Sequence, residues 1–579
     1  MIFTIFCVLI LLNNFNHFKT GSEIGPPHRK PQQLAAGAID LKRDVARGLR
    51  NILDDLRRAK DHKMAPEART LLALQRALGQ LDPRLLPMDP LDLPTQQQLL
   101  EADNQTAMPG HPTLLEVCTE MYMGAEYDLP YHTKAFLAEC QNKVPLRELV
   151  TITIDATHDS TTDLDDLLEA IVLRYESVPV TVAVASQSIG YMTKRYSNVK
   201  IVWVTTSTPA AVRWTRLLKG VTTKYVLVGR RLATFSPFSD IERLVRALRQ
   251  VPFASYVTGA VRNETGQWRM ECYQTRLELY GLTLREGYTN SALECMYCDA
   301  VGGPFLTTTK LITSTPLDES LPDDVVFNDW FLRVQVNDGL GLACPDVLFF
   351  VSDNQHQPWE SRKPWEALAS KWGVTDVHLP GHVNHHFTCA DVDLRCGQIG
   401  EHFAVPPCCL AQLGRALRDV VRILESKGVK VHVTGHTVVS AVKGGLQPWE
   451  VDAHIAARNS VFLQHALTVL RKRGFVVHNT GYKGTYLVHV FTYTIVLHVV
   501  PIDLEAQLPL LQRDTPTSLY IGNAWLLSPP NPGLYARGLH GYGSLQHSQR
   551  GRSWPLCPNP NHHACLDHLP LDGSLVRLR

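Results

Sequence analysis

From about residue 146 onward, the apolar residues alternate between two rhythms. Short runs rich in Val, Ile and Thr, at 149–154, 178–185, 199–205 and 224–228, read as strands. Between them, 163–175 and 240–249 carry apolar positions at helical spacing, and Thr161 or Thr162 can cap the first of these helices. Strand-helix alternation of this kind predicts a Rossmann-like parallel sheet, with 323–335 and 341–352 completing a domain that spans 146–380. A charged segment, 353–371, then leads into a last third with a different order. There 408–427 predicts an amphipathic helix, 429–433 a strand, 459–474 a second helix, and 480–490 and 494–500 further strands. A Pro/Gly-rich tail begins near Ser528, and the whole of 381–579 reads as a second domain.

Upstream, 35–56 and 67–81 have helical spacing and the proline-rich stretch 82–94 breaks any helix, so 21–145 reads as a helical stalk and linker. Residues 1–20 hold an apolar run at 2–12, shorter than the roughly 20 residues a bilayer span needs. With Phe15 and Phe18 it reads as a signal-anchor, with a cleaved signal peptide as the competing reading.

Length and charge narrow the class. At 579 residues the chain needs more than one core, and its 45% hydrophobic content can build them. A formal charge of +1 argues against a general nucleic-acid binder. Two sequons, at Asn104 and Asn263, fit a secretory route. Of 13 cysteines, Cys7 lies in the apolar leader and four cluster at 389–409, leaving an even set of eight: Cys118, Cys140, Cys272, Cys295, Cys298, Cys344, Cys557 and Cys565. An even set suits an oxidising lumen, with the pairing left open.

Candidate chemistry concentrates between Cys389 and His454. Cys389-x6-Cys396-x11-Cys408-Cys409 suits either a structural zinc tetrathiolate or two disulfides. Further on, a glycine turn at Gly435-His436-Thr437 precedes Glu450, Asp452 and His454 on alternate positions of a short strand. Alternate strand residues share a face, so these three would converge where a Mg²⁺ or Mn²⁺ wants several ligands at once. Ordinary polar residues on a half-exposed strand are the plainer account. Lys443 and Arg458 are cations available to a pyrophosphate, or solvated surface charges. Cys557 and Cys565, with His562 and His563 between, read as a disulfide-closed tail loop before a metal site. Asp155, His158 and Asp159 follow the first strand of the sheet, where helix capping accounts for them.

Pro406-Pro-Cys-Cys-Leu410, Gly435-His-Thr-Val-Val-Ser-Ala-Val-Lys443, Gln447-Pro-Trp-Glu-Val-Asp452 and Pro532-Gly-Leu-Tyr535 together resemble the fukutin-related, LicD-type phosphotransferase family. The resemblance covers 389–545 well and 146–350 in layout only. It implies a Golgi-membrane enzyme of type II topology, with ER or secreted alternatives, carrying a glycosyltransferase-A-like Rossmann stem. The stem would be non-catalytic, because the strand at 225–229 runs into Arg230-Arg231 where such folds place metal-binding acids. The C-terminal domain would be nucleotidyltransferase-like α+β with a zinc loop on Cys389, Cys396, Cys408 and Cys409. The implied reaction moves ribitol 5-phosphate from CDP-ribitol to an O-mannosyl glycan of a glycoprotein such as α-dystroglycan. Glu450, Asp452, His454 and Asp503 would be catalytic, with Mg²⁺ or Mn²⁺ on Glu450 and Asp452. Gly435, His436, Thr437 and Lys443 would meet the donor, and Cys272–Cys298 would be a bridge. Other Golgi glycosylation enzymes and further copies of the chain are the implied partners. The chain departs from the family at Glu450 and His454, where aspartates are expected, and at Val500, where another acid is expected and Asp503 substitutes only if the strand shifts. An inactive family member acting as a scaffold is the competing reading.

Overall fold

The computed structural model describes 143–157, 161–185, 195–251, 253–288, 290–337, 339–352, 359–458, 460–482, 484–500 and 516–545. It also describes 115–122, 136–138, 562–566 and a few single positions. The expected leader at 1–20, most of the stalk, Asn104, His158, Asp159 and Asp503 lie outside the described residues. Among the described residues no helix is long and apolar enough to cross a membrane. The chain divides into two compact units, one covering 39–275 and 284–364, the other 276–283 and everything from Trp365 onward.

The first unit is a mixed α/β domain. Seven strands of its 11-stranded sheet are β1 (Val150–Asp155), β2 (Val180–Val184), β3 (Val199–Trp203), β4 (Tyr225–Gly229), β5 (Ala254–Asn263), β6 (Phe305–Thr308) and β7 (Leu340–Val351). They run in the order β7-β5-β6-β4-β1-β2-β3. The run β4-β1-β2-β3 is parallel, as strand-helix alternation predicts, and β6 is antiparallel to both its neighbours. Helices α1 (Thr161–Arg174), α2 (Ala210–Leu218), α3 (Ile241–Gln250) and α4 (Val326–Val336) cover the sheet. In β4, Tyr225 and Leu227 enter one core with α1 and α3, while Val226 and Val228 enter another with α2 and α4. Burial on both faces is why this strand is a continuous apolar run. Asp240 caps α3 by accepting from the Arg243 amide at 3.0 Å.

Two expectations for this unit need correction. Asp155 caps no helix: it accepts from Arg213 Nε and the Thr157 hydroxyl, both at 2.7 Å. Arg230 and Arg231, cations at the end of β4 that could dock a phosphate or an acidic partner, are instead engaged within the protein. Arg230 lies over the Phe327 ring at 4.3 Å and donates to the Val301 carbonyl, and Arg231 donates to Glu271 and the Gly302 carbonyl. A guanidinium so engaged satisfies the protein's own carbonyls and carboxylate. The Cys272–Cys298 bridge that the family resemblance implies is present, and Cys118–Cys140 and Cys295–Cys344 pair beside it.

The second unit is built on a five-stranded sheet of β8 (Val431–Val433), β9 (Asp452–Arg458), β10 (Val476–Asn479), β11 (Thr485–Val490) and β12 (Tyr493–Val500). These run in the order β8-β9-β12-β11-β10. One apolar face packs on α5 (Pro407–Glu425) and α7 (Val461–Lys472). In β9 the residues facing that core are Ala453, Ile455 and Ala457, and in β12 they are Tyr493, Ile495 and Leu497. Asp452, His454 and His498 therefore fall on the other face by strand alternation. That side carries α6 (Gly435–Val442) and α8 (Pro532–His540), which pack on each other. A hairpin of β13 (Ser518–Ile521) and β14 (Ala524–Leu527) adjoins β8.

The expected strand at 480–490 begins only at Thr485. Gly481 and Gly484, both in the left-handed region with φ of 70° and 69°, turn the chain there, and β10 lies upstream of the turn. The tail is closed by Cys557–Cys565, as expected, and its histidines are structural. His563 is buried edge-on to Tyr280 at 5.2 Å, and its carbonyl accepts from the Leu279 amide at 3.0 Å. This contact helps hold 276–283 in the second unit, where Gly281–Thr283 pairs in parallel with Asp376–His378.

Candidate functional site

β8 ends at Val433, and the chain enters α6 through Thr434 and Gly435. Gly435 has φ of 56°, a conformation that disfavours any side chain, and a Cβ there would stand 3.4–3.5 Å from the His454 ring and Cβ. The turn thus lies directly against His454. Its polar groups are met from α8: the Gly435 amide donates to the Tyr535 hydroxyl at 3.0 Å, and that hydroxyl lies 2.9 Å from Thr434 Oγ1. Thr437 is buried, and its Oγ1 accepts from the His454 amide at 2.7 Å, tying the first turn of α6 to β9.

Parallel pairing sets His454 opposite Val496 and Ala456 opposite His498. His454 and His498 stack with ring centroids 5.3 Å apart, and His454 Nδ1 lies 3.1 Å from His498 Nε2. Asp452 Oδ2 stands 3.4 Å from the other ring nitrogen of His454. His436 approaches His454 edge-on, with centroids 5.7 Å apart, and His540 lies 6.0 Å beyond it. Burial lowers the His498 pKa, and neighbouring His454 lowers it further.

The expected site residues thus separate. Gly435, His436, Thr437, Asp452 and His454 come together at the N-terminal end of α6. Lys443 sits at the opposite end of that eight-residue helix, about 12 Å away at 1.5 Å per residue, with its ammonium 5.8 Å from the Trp449 ring. Glu450 is turned into the protein: Ser440 donates its hydroxyl to Oε1, and the Gln447 amide donates to Oε2 at 2.9 Å. Burial pushes its carboxyl up to about 7, and the two hydrogen bonds only partly oppose this. The loop it braces, Gly444 to Pro448, lines a cavity of about 530 Å³ together with Tyr280 and Asp376. His498 and His540 were not singled out from sequence, and Tyr535 was read only as part of the Pro532–Tyr535 motif, with no role in the site. A parallel partner for β9 would have pointed to His498, but nothing local marks His540.

The structure departs from the expected zinc tetrathiolate. Cys389 pairs with Cys408 and Cys396 with Cys409, so none of the four offers a thiolate in this form. All four still occupy one cluster, with Cys389 Sγ at 3.3 Å from Cys409 Sγ and 3.5 Å from Cys396 Sγ.

No family model matches this chain. Over 267 residues it is 25% identical to the Homo sapiens "Ribitol 5-phosphate transferase FKRP", covering 41% of this chain and 51% of that protein. Over 146 residues it is 27% identical to the Mus musculus protein of the same name, covering 21% of this chain and 29% of that protein. The chain thus spans about half, or less, of the curated relatives it matches. Among solved structures, GalNAc-T7 with UDP, GalNAc and Mn²⁺ matches at TM-score 0.30 and 10% identity, over 38% of this chain and 47% of that one. S. aureus TarS 1-349 matches at TM-score 0.27 and 13% identity, over 35% and 60%. The two sequence matches support a divergent member of the fukutin-related family.

Proposed function

We propose that this divergent fukutin-related family member is a glycan-modifying transferase. Its second unit would move an alditol phosphate, ribitol 5-phosphate by analogy, from a cytidine-nucleotide donor to a hydroxyl of an O-mannosyl glycan in the Golgi lumen. The observation that supports this reading is the convergence of Gly435, His436, Asp452 and His454 at the N-terminal end of α6. That end of a helix favours negative charge, which suits donor phosphates. In the transfer, the acceptor oxygen forms a bond to the donor phosphorus while the bond to the CMP oxygen breaks. Asp452, the carboxylate of this face, takes the proton of the attacking hydroxyl. Thr437 acts indirectly, by fixing the His454 backbone.

The residues present do not make the oxygen-rich site that a Mg²⁺ or Mn²⁺ wants. Both Glu450 oxygens are engaged inward, and the third family position is the nitrogen ligand His454. No step is therefore assigned to such an ion. The cysteine cluster serves the fold in either state, as two disulfides or, if reduced, as a structural Zn²⁺ site. Bonds of about 2.3 Å around tetrahedral zinc space the sulfurs at roughly 3.8 Å, close to the 3.3 and 3.5 Å seen across the pairs.

One set of observations favours a second reading, an inactive scaffold for glycosylation enzymes: the inward Glu450 and the valine at position 500. The test is release of CMP from a panel of CDP-alditols by the purified chain with an O-mannosyl glycan acceptor. Turnover supports the transferase. No release and no donor binding across the panel leaves the scaffold.

A further inference from the structure

The misfit between this site and a hard ion coincides with a different ligand set. His454 and His498 stand on adjacent parallel strands, two residues out of register, and bring Nδ1 of one to 3.1 Å from Nε2 of the other. Two nitrogens bound to one tetrahedral ion at about 2.0–2.1 Å lie roughly 3.3 Å apart, so the pair already has nearly the spacing of a chelate. Without an ion the same spacing accommodates one shared proton. The remaining nitrogen of His454 faces Asp452, whose Oδ2 is 3.4 Å away. A carboxylate behind a coordinating imidazole is a recurrent support, since it fixes the tautomer and raises the basicity of the ligand nitrogen. The backbone of His454 is pinned by Thr437, and its ring lies within van der Waals reach of Gly435. His436 is a third imidazole beside the pair.

We infer that His454 Nδ1 and His498 Nε2 form a two-imidazole chelate for a borderline transition ion of the Zn²⁺ class, braced by Asp452 and open to oxygen ligands such as phosphate or water. Imidazole nitrogens suit Zn²⁺, Co²⁺ and Ni²⁺ and are poor ligands for Mg²⁺. The inference concerns the same face as the proposed reaction but does not require it, so binding and turnover can fail separately.

The test titrates the oxidised full chain with Co²⁺ and Zn²⁺ by calorimetry and visible absorption. The expected result is one Co²⁺ per chain without a thiolate-to-metal charge-transfer band, displaced by Zn²⁺ and not by Mg²⁺. His454→Ala and His498→Ala should each weaken binding more than tenfold, and Asp452→Asn by about 10–100-fold. Should an alanine variant fail to fold, the wild-type chain supplies a second readout: Zn²⁺ should protect His454 and His498 from carbethoxylation, mapped by peptide mass. Uptake only with a thiolate band, displacement by Mg²⁺, or unchanged binding and no protection at these histidines would overturn the inference.

Discussion

Ser440 donates its hydroxyl to Glu450 across the turn that joins α6 to β9, and the same carboxylate accepts from the Gln447 amide. The acid expected to face a metal is instead a buried brace. Its carboxyl is raised from 4.5 to about 7, so the folded state holds a proton that the unfolded chain releases. Stability from this group is fully present below about pH 4.5 and is lost as pH rises through about 7. The difference amounts to roughly 2–4 kcal/mol. Thermal melts of Glu450→Gln and wild type between pH 4.5 and 7.5 should show the wild-type decline flattened in the variant. Parallel curves would mean that the carboxyl titrates normally.

Tyr535→Phe removes the hydroxyl that accepts from the Gly435 amide and contacts Thr434. A loss of about 1–2 kcal/mol is expected, with faster hydrogen exchange confined to the start of α6. Unchanged exchange there would show that α8 does not hold the turn.

A Cβ on Gly414 in α5 would stand 2.6 Å from the Gly522 Cα, a backbone atom of the β13–β14 turn that cannot swing aside. Gly414→Ala should therefore destabilise the second unit by about 1–3 kcal/mol, read from denaturant midpoints. Gly538→Ala is the control, since a Cβ there meets nothing within 4 Å.

Non-reducing peptide maps of the purified chain should recover Cys389–Cys408 and Cys396–Cys409. Cys409→Ser, at a fully buried position, should cost about 2–5 kcal/mol. Four free thiols and one zinc per chain by elemental analysis would replace the two bridges with the zinc site.

Much of the architecture was legible because it rests on local periodicity. The apolar runs that became β1 to β4, and the helical spacing that became α3 and α5, depend only on which neighbours share a face. The turn at Gly481 and Gly484, which delays the expected 480–490 strand to Thr485, was missed because a glycine in a strand-like run does not reveal its φ.

By itself, then, the sequence determined the parallel sheet, the second domain's order of elements, and the placing of Asp452 and His454 on one face of a strand. The tertiary structure decided what those residues meet. The parallel register of β9 and β12 brings His498 to His454 across 44 residues of chain, and the packing of α8 brings Tyr535 to Gly435 across 100. It also turned Glu450 inward, because Ser440 and the Gln447 amide lie in the protein and hydrogen bonds there outcompete an outward pose. Strand alternation follows from the chain's own geometry, whereas cross-strand register and helix docking depend on contacts distant in sequence.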